Sequence, residues 1–283
     1  MKDRTFFLRQ RGFTLIELVM VIVIMGVIGG TVAVFMKGPI DSYFATARRA
    51  GLTDVADTAV RRMARDVRKA LPNSIHAPTS QCVEFIPTKF GGRYRADVDA
   101  SGTGDILNFT AADSSFDMLG ANSTLTDQTM VTGDWITVYN LGITGSDAYN
   151  QDNTSAIGSI GTGSLSNETK INITSKLFPL ASGGNRFHVI PKDEKVVALV
   201  CSGGKLYRTA NTAMSKTADG SSCPTSATAT FTVATLANNV SSCNFSYSGS
   251  DLQRNALVQM TLQFTDSGET TSLYHEVHVN NTP

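Results

Sequence analysis

From Phe13 to Met36 the chain runs for 24 residues with a single charged side chain, Glu17. As a helix this run reaches about 36 Å, enough to cross the hydrocarbon core of a bilayer. A helix that is apolar on every side belongs at the centre of a large protein or in a membrane. Its flank chooses between them: Lys2, Arg4, Arg9 and Arg11 stand before it against Asp3 alone, the pattern that keeps an N-terminus cytoplasmic. Everything beyond Met36 is then exported. A cleavable secretory signal has a shorter apolar region and a small-residue cleavage site, whereas here the run continues through Val34, Phe35 and Met36 into Lys37, so the helix is retained.

Glu17 is costly in such a setting, on the order of 2–3 kcal/mol, and carboxylates kept inside apolar spans generally have a task. No basic side chain follows it before Lys37, too far along the helix to reach. The partner expected is an α-amine created by cleavage between Gly12 and Phe13. With those residues in view, Gly12-Phe13-Thr14-Leu15-Ile16-Glu17 resembles the cleavage and methylation motif of type IV prepilins. The resemblance implies cutting after Gly12 by prepilin peptidase and N-methylation of Phe13. It also implies pairing of Glu17 with the Phe13 amine of the same or an adjoining subunit during assembly.

Farther along, Gly26, Gly29 and Gly30 are small residues that let helices approach closely. Gly38-Pro39 predicts a bend or short break, because proline removes a helical hydrogen bond and restricts the residue before it. A second, amphipathic helix is expected from Ile40 to Leu71. Its apolar side is Leu52, Ala56, Ala59, Met63, Val67 and Ala70, and its other side carries Arg61, Arg62, Arg65, Arg68 and Lys69 with Asp54, Asp57 and Asp66. Asp57 and Arg61 form a favourably oriented i,i+4 pair. Pro72 stops the helix.

Beyond Pro72, short β-branched and aromatic runs alternate with Gly, Asn, Asp and Ser, a strand signature. Strands are expected at Cys82–Ile86, Gly92–Val98, Asp105–Phe109, Trp135–Leu141, Lys170–Ile173, Arg186–Ile190, Val196–Cys201, Lys205–Thr209, Cys243–Ser248, Ala256–Phe264 and Thr270–Val279. Gly203-Gly204 and Ser267-Gly268 mark hairpins. In the last hairpin the alternation predicts Val258, Met260, Leu262 and Phe264 facing the core. Ile143–Glu168 and Ala210–Thr230, rich in Ser, Thr, Gly and Asn, read as long surface loops. The fold class is α+β: a long N-terminal transmembrane or filament helix followed by a mainly antiparallel, β-rich, pilin-like globular domain. Its parts are a leader (1–12), a membrane or filament-core helix (13–36), an amphipathic extension (37–71) and an exported domain (72–283).

The four cysteines, Cys82, Cys201, Cys223 and Cys243, all follow the apolar run, in what should be an oxidising compartment, and imply two disulfides. Cys201 with Cys243 is favoured because each sits on an expected core strand, which leaves Cys82 with Cys223. A formal net charge of zero argues against a nucleic-acid partner, which would call for a strong basic excess. Asp97, Asp99, Ser101 and Asp105 are spaced like the start of a calcium loop, but position twelve is Asn108 where a bidentate Glu is needed. His275 and His278, three apart on a strand, point to opposite faces. No phosphate loop, nucleophile elbow or catalytic carboxylate pair is present, so neither an enzyme nor a cofactor is implied.

The chain also resembles, through Arg61–Arg68, Gly91–Arg95, Ser242–Tyr247 and His278–Pro283, the MshO-type minor pilins of mannose-sensitive haemagglutinin (MSHA) pili. The J-type minor pseudopilins of type II secretion share the general plan. The resemblance implies assembly or tip-priming work in a pilus, with prepilin peptidase, other minor and major pilins and an inner-membrane assembly platform as partners. It places the protein in a bacterial inner membrane, N-terminus cytoplasmic and body periplasmic, and then in the pilus. A tip adhesin using the Ile143–Glu168 segment is the alternative of a different class.

Overall fold

The computed structural model describes residues 12–248 and 255–283. Lys2, Asp3, Arg4, Arg9 and Arg11, on which the orientation reading rests, lie outside the described residues. The chain divides into two units, Met1–Gly51 and Leu52–Pro283.

A single helix, α1 (Leu15–Arg68), enters both. The break expected at Gly38-Pro39 does not occur, since Pro39 lies inside the helix. Proline there withholds the hydrogen bond that Phe35 would accept and costs roughly 3 kcal/mol, which the cooperative turns on either side absorb. In the first unit the apolar side chains, from Leu15 to Phe44, are exposed. In the second, Leu52, Ala56, Ala59, Met63 and Val67 are buried as their spacing predicts, joined by Val60 and Ala64. On the solvent side Arg61 and Asp57 pair at 2.6 Å, an exposed contact worth about 0.5 kcal/mol. The helix stops at Arg68, short of the expected Leu71. Lys69 and Ala70 N–H groups bond to the carbonyls of Asp66 and Val67 at 3.0 and 3.1 Å, a tightened last turn. Leu71 N–H already donates to Ile86 (2.8 Å).

Among the described residues fourteen strands follow: β1 (His76–Thr79), β2 (Cys82–Phe85), β3 (Phe90–Arg93), β4 (Asp113–Met118), β5 (Trp135–Val138), β6 (Thr154–Thr162) and β7 (Thr169–Lys176), then β8 (Arg186–Ile190), β9 (Val196–Ser202), β10 (Lys205–Asn211), β11 (Phe231–Asn238), β12 (Val240–Ser248), β13 (Asn255–Asp266) and β14 (Glu269–Asn280). They form a five-stranded sheet ordered β1-β2-β9-β10-β11, a three-stranded sheet β12-β13-β14 and a six-stranded sheet β3-β8-β5-β6-β7-β4. The first two share one core with α1, in which Val258, Met260, Leu262 and Phe264 are buried on the face that their alternation predicts. Both expected hairpins form, and the residues at each turn, Gly203-Gly204 and Ser267-Gly268, have positive φ, the two-residue turn whose twist suits flanking strands.

The six-stranded sheet closes on itself. Arg95 N–H donates to the Asp117 carbonyl (2.8 Å) and Leu119 N–H to that of Arg93 (2.9 Å), so the chain around β3 and β4 seals the seam. The resulting antiparallel barrel encloses Tyr94, Phe116, Met118, Ile136, Phe178 and Phe187. All six barrel strands are inserted between β2 and β9, which pair directly, so the insertion leaves and re-enters at neighbouring points.

Several sequence expectations are corrected. The Ile143–Glu168 segment is not a loop, because it contains β6, which pairs with β5 and β7 and buries Ile157. Barrel hydrogen bonding on both sides outweighs its weak Ser/Gly strand propensity. No strand forms at Asp105–Phe109, where the Asn108 side chain accepts from Thr110 and Ala111 N–H groups at 2.7 and 3.2 Å; local turn bonds compete with the ladder. In place of Gly92–Val98, the shorter β3 ends at Arg93. Strands β1, β4 and β11 were not expected. Pro78 within β1 is accommodated because β1 is an edge strand.

The structure joins Cys82 to Cys223 and Cys201 to Cys243. The second bridge links β9 to β12 across two sheets. The first ties down the segment 212–230, which a polar latch also holds: buried Glu84 accepts from Thr217 N–H and Oγ1 (2.8 and 2.7 Å) and meets His76 Nδ1 at 3.2 Å, while His76 Nε2 reaches Asp219 at 2.6 Å. Arg208 on β10 bonds Asp66 of α1 at 2.9 Å and both oxygens of Glu194 at 2.8 and 2.7 Å. The Glu194 carboxylate foremost, then Asp66, keeps this guanidinium charged.

Two outcomes are expected. A Cβ on Gly92 would stand 2.8 Å from the Phe187 ring and 2.9 Å from Met118 Sδ, so Gly92→Ala should cost about 1–3 kcal/mol by overpacking the barrel, read by denaturant titration. The hydrogen bond to Glu84 foremost, and that to Asp219, raises the His76 pKa against the opposing effect of burial. The latch therefore contributes its full stability below the unfolded value near 6.5 and loses it as pH rises through the higher folded value. Melting temperature should fall across that window in the native chain, and the fall should be smaller in His76→Gln.

Candidate functional site

The sequence points to Gly12, Phe13 and Glu17, and the structure adds Thr14. The Thr14 carbonyl accepts from Leu18 N–H at 3.2 Å, the first helical bond, which makes Thr14 the cap of α1. Glu17 N–H donates to Thr14 Oγ1 (3.3 Å), and Glu17 Oε2 accepts from Thr14 N–H (3.0 Å) and Oγ1 (2.9 Å). This reciprocal arrangement is a capping box, and the Thr14-x-x-Glu17 spacing that marks one stands in the sequence. The reading of Glu17 as a carboxylate awaiting a cation is thus incomplete: within its own chain it already satisfies the helix end, with a negative charge where the helix dipole favours one.

Gly12 and Phe13 precede the helix in non-helical backbone and are exposed. The Gly12–Phe13 peptide bond lies in open chain of the kind that proteases enter. A Cβ on Gly12 would meet nothing within 4 Å, and its φ is not in the left-handed range. Neither packing nor backbone conformation in this chain requires glycine there, so a requirement for it would belong to a processing enzyme. Gly26, Gly29 and Gly30 likewise have nothing within 4 Å of an added Cβ.

Other sequence candidates are not assembled into a site. Asp99 Oδ1 is taken by Ser101 and Thr103 N–H groups, both at 2.8 Å, which lowers its pKa together with the Ser101 hydroxyl bond, the larger cause. Asp105 serves Ser115 Oγ (2.6 Å) and Lys170 Nζ (2.9 Å). Among the described residues no group of three His, Cys, Asp or Glu is placed to hold a metal, so Asp97, Asp99, Ser101 and Asp105 do not converge. His275 and His278 differ in burial along β14, half-buried and exposed respectively.

Residues 8–33 match the family model of the prokaryotic N-terminal methylation motif. At its N-terminus this is a type IV prepilin-like chain. The match spans the residues just before Phe13, the capping box and most of the apolar run, and it implies processing by prepilin peptidase and assembly with pilus components in general. No curated protein and no solved structure matches the chain. The prepilin-like stem is long and apolar enough to cross a membrane, consistent with an inner-membrane stage followed by a filament.

Since the fold does not need Gly12, Gly12→Ala or Gly12→Asp should leave the helix intact while the leader stays attached and the protein unassembled. Intact-mass analysis checks this, and recovery of N-methylated Phe13 from the Gly12→Asp chain would displace the site.

Proposed function

We propose that the protein is a minor pilin-like subunit that helps to assemble, near the tip, a type IV pilus of the MSHA type. The observation that carries this reading is the capped, fully exposed apolar stem beginning at the methylation motif. Prepilin peptidase cuts after Gly12, and the Phe13 amine is methylated. The protein waits in the inner membrane with its body periplasmic. An assembly platform then transfers it into a filament, where the stem packs against other minor and major pilins. The tip position and the MSHA assignment rest on the resemblance of Arg61–Arg68, Gly91–Arg95, Ser242–Tyr247 and His278–Pro283, while the motif itself serves secretion pseudopili as well. Deletion separates the two: loss of surface pili supports the pilus, and loss of enzyme export with pili intact supports a J-type pseudopilin.

In this reading Glu17 has two duties, the capping box within its own chain and an ion pair with a Phe13 amine in the filament. Glutamine at this position of a capping box keeps the first and abolishes the second. Glu17→Gln and Glu17→Val proteins should both be processed and accumulate in the membrane at native levels, because removing a charge from an apolar span favours the stored form. Both should fail to support piliation in a shear assay. Normal piliation by Glu17→Gln alone would assign Glu17 to capping and remove the ion pair.

A further inference from the structure

Arg93 on β3 and Arg186 on β8 stand directly opposite each other, both exposed on the outer face of the barrel wall. Like charges so placed destabilise a sheet. Anions are plentiful nearby, since from Lys89 to Lys195 the sequence holds twelve Asp and Glu against eight Lys and Arg. Three of them are committed to other cations, Asp134 to Lys89, Glu168 to Arg95 and Asp105 to Lys170. Among the described residues neither arginine side chain has a hydrogen-bonding or ionic partner.

The two arginines border a groove of about 520 Å³ that is also lined by Phe90, Gly91, Gly92 and His188. The groove lies where the barrel seam opens: seam hydrogen bonds join Arg95 and Arg93 to the β4 side, and none continues to Gly91. Gly91, opposite His188, leaves bare backbone on the outer face, where an added Cβ would be in ordinary contact at 3.7 Å from the His188 ring. Burial foremost, and the Arg186 charge, bring the His188 pKa down to about 4, so its ring is a neutral hydrogen-bonding group.

We propose that this groove binds an acidic saccharide, its carboxylate shared by Arg93 and Arg186 and its hydroxyls met by His188 and the Gly91 backbone. Guanidinium forks match carboxylates in geometry. The volume suits a small ligand. An exported body, as proposed above, would encounter such sugars, yet binding in vitro does not depend on which filament takes the subunit, so the two readings fail separately.

The test is calorimetry on the full chain in detergent, with a digalacturonate as probe, a neutral digalactoside as control and a hexaglutamate peptide as competitor. The expected result is binding of the digalacturonate alone, weakened at least about tenfold by Arg93→Gln or Arg186→Gln, the loss of one charged hydrogen-bonding partner. Each substitution should leave the melting temperature unchanged or raised, because a repulsion is relieved. Absence of digalacturonate binding, unaltered binding in both variants, or a lowered melting temperature in both would overturn the proposal. Tighter binding of hexaglutamate would overturn the saccharide in favour of a protein partner.

Discussion

Burial of the α1 stripe from Leu52 to Val67 brings together two sheets that share few hydrogen bonds of their own. Between the five-stranded and three-stranded sheets, Phe245 N–H reaches the Ser80 carbonyl at 2.7 Å and Val240 N–H reaches that of Gly204 at 3.0 Å, both at hairpin ends. Apolar contact with one helix must supply most of the cohesion. Ala56, Ala59 and Ala64 present little side chain, and Met63, a flexible side chain, is buried with them in one core with Phe85, Leu199 and Met260. The Cys201–Cys243 bridge and the Arg208 fork to Asp66 and Glu194 then fix the arrangement at points that the apolar contact alone would leave free to slide.

The barrel has a different logic. It is inserted between two adjacent strands, and loop-closure entropy grows slowly with inserted length, so a closed barrel with its own core is a tolerable addition to the β2–β9 pair. Closure removes the open edges that a six-stranded sheet would otherwise expose. Gly92 marks the price of closure in side-chain volume, because Phe187 and Met118 occupy the space where its Cβ would be.

The helix stripe, the two glycine hairpins and the β13 alternation were legible in the sequence because each is a local pattern with one dominant cause. The barrel was not. β6 and β4 have compositions that say loop, and only pairing on both sides makes them strands, a fact spread over residues far apart in the chain. At Gly38-Pro39 the sequence shows one missing hydrogen bond but not the cooperative helix on either side that carries it. At the N-terminus Gly12, Phe13 and Glu17 are legible as a motif, and Thr14 is legible only through its spacing to Glu17, the mark of a capping box.

That bond bears on how a subunit can leave a membrane at all. The exposed stem places its apolar side chains, Leu15 to Phe44, in whatever surrounds it, and lipid tails are about as apolar as neighbouring helices. In the proposed assembly, transfer from bilayer to filament core would therefore change the hydrophobic free energy little, and its direction would have to come from something else. A carboxylate does change its energy on transfer, since it gains most where a cation waits. With Thr14 satisfying Glu17 in the single chain, the stored state is spared a bare charge without being locked, because the capping box leaves Glu17 Oε1 outside the bonds to Thr14. In the assembly proposed above, an amine from a neighbouring stem would be engaged without first dismantling the helix end.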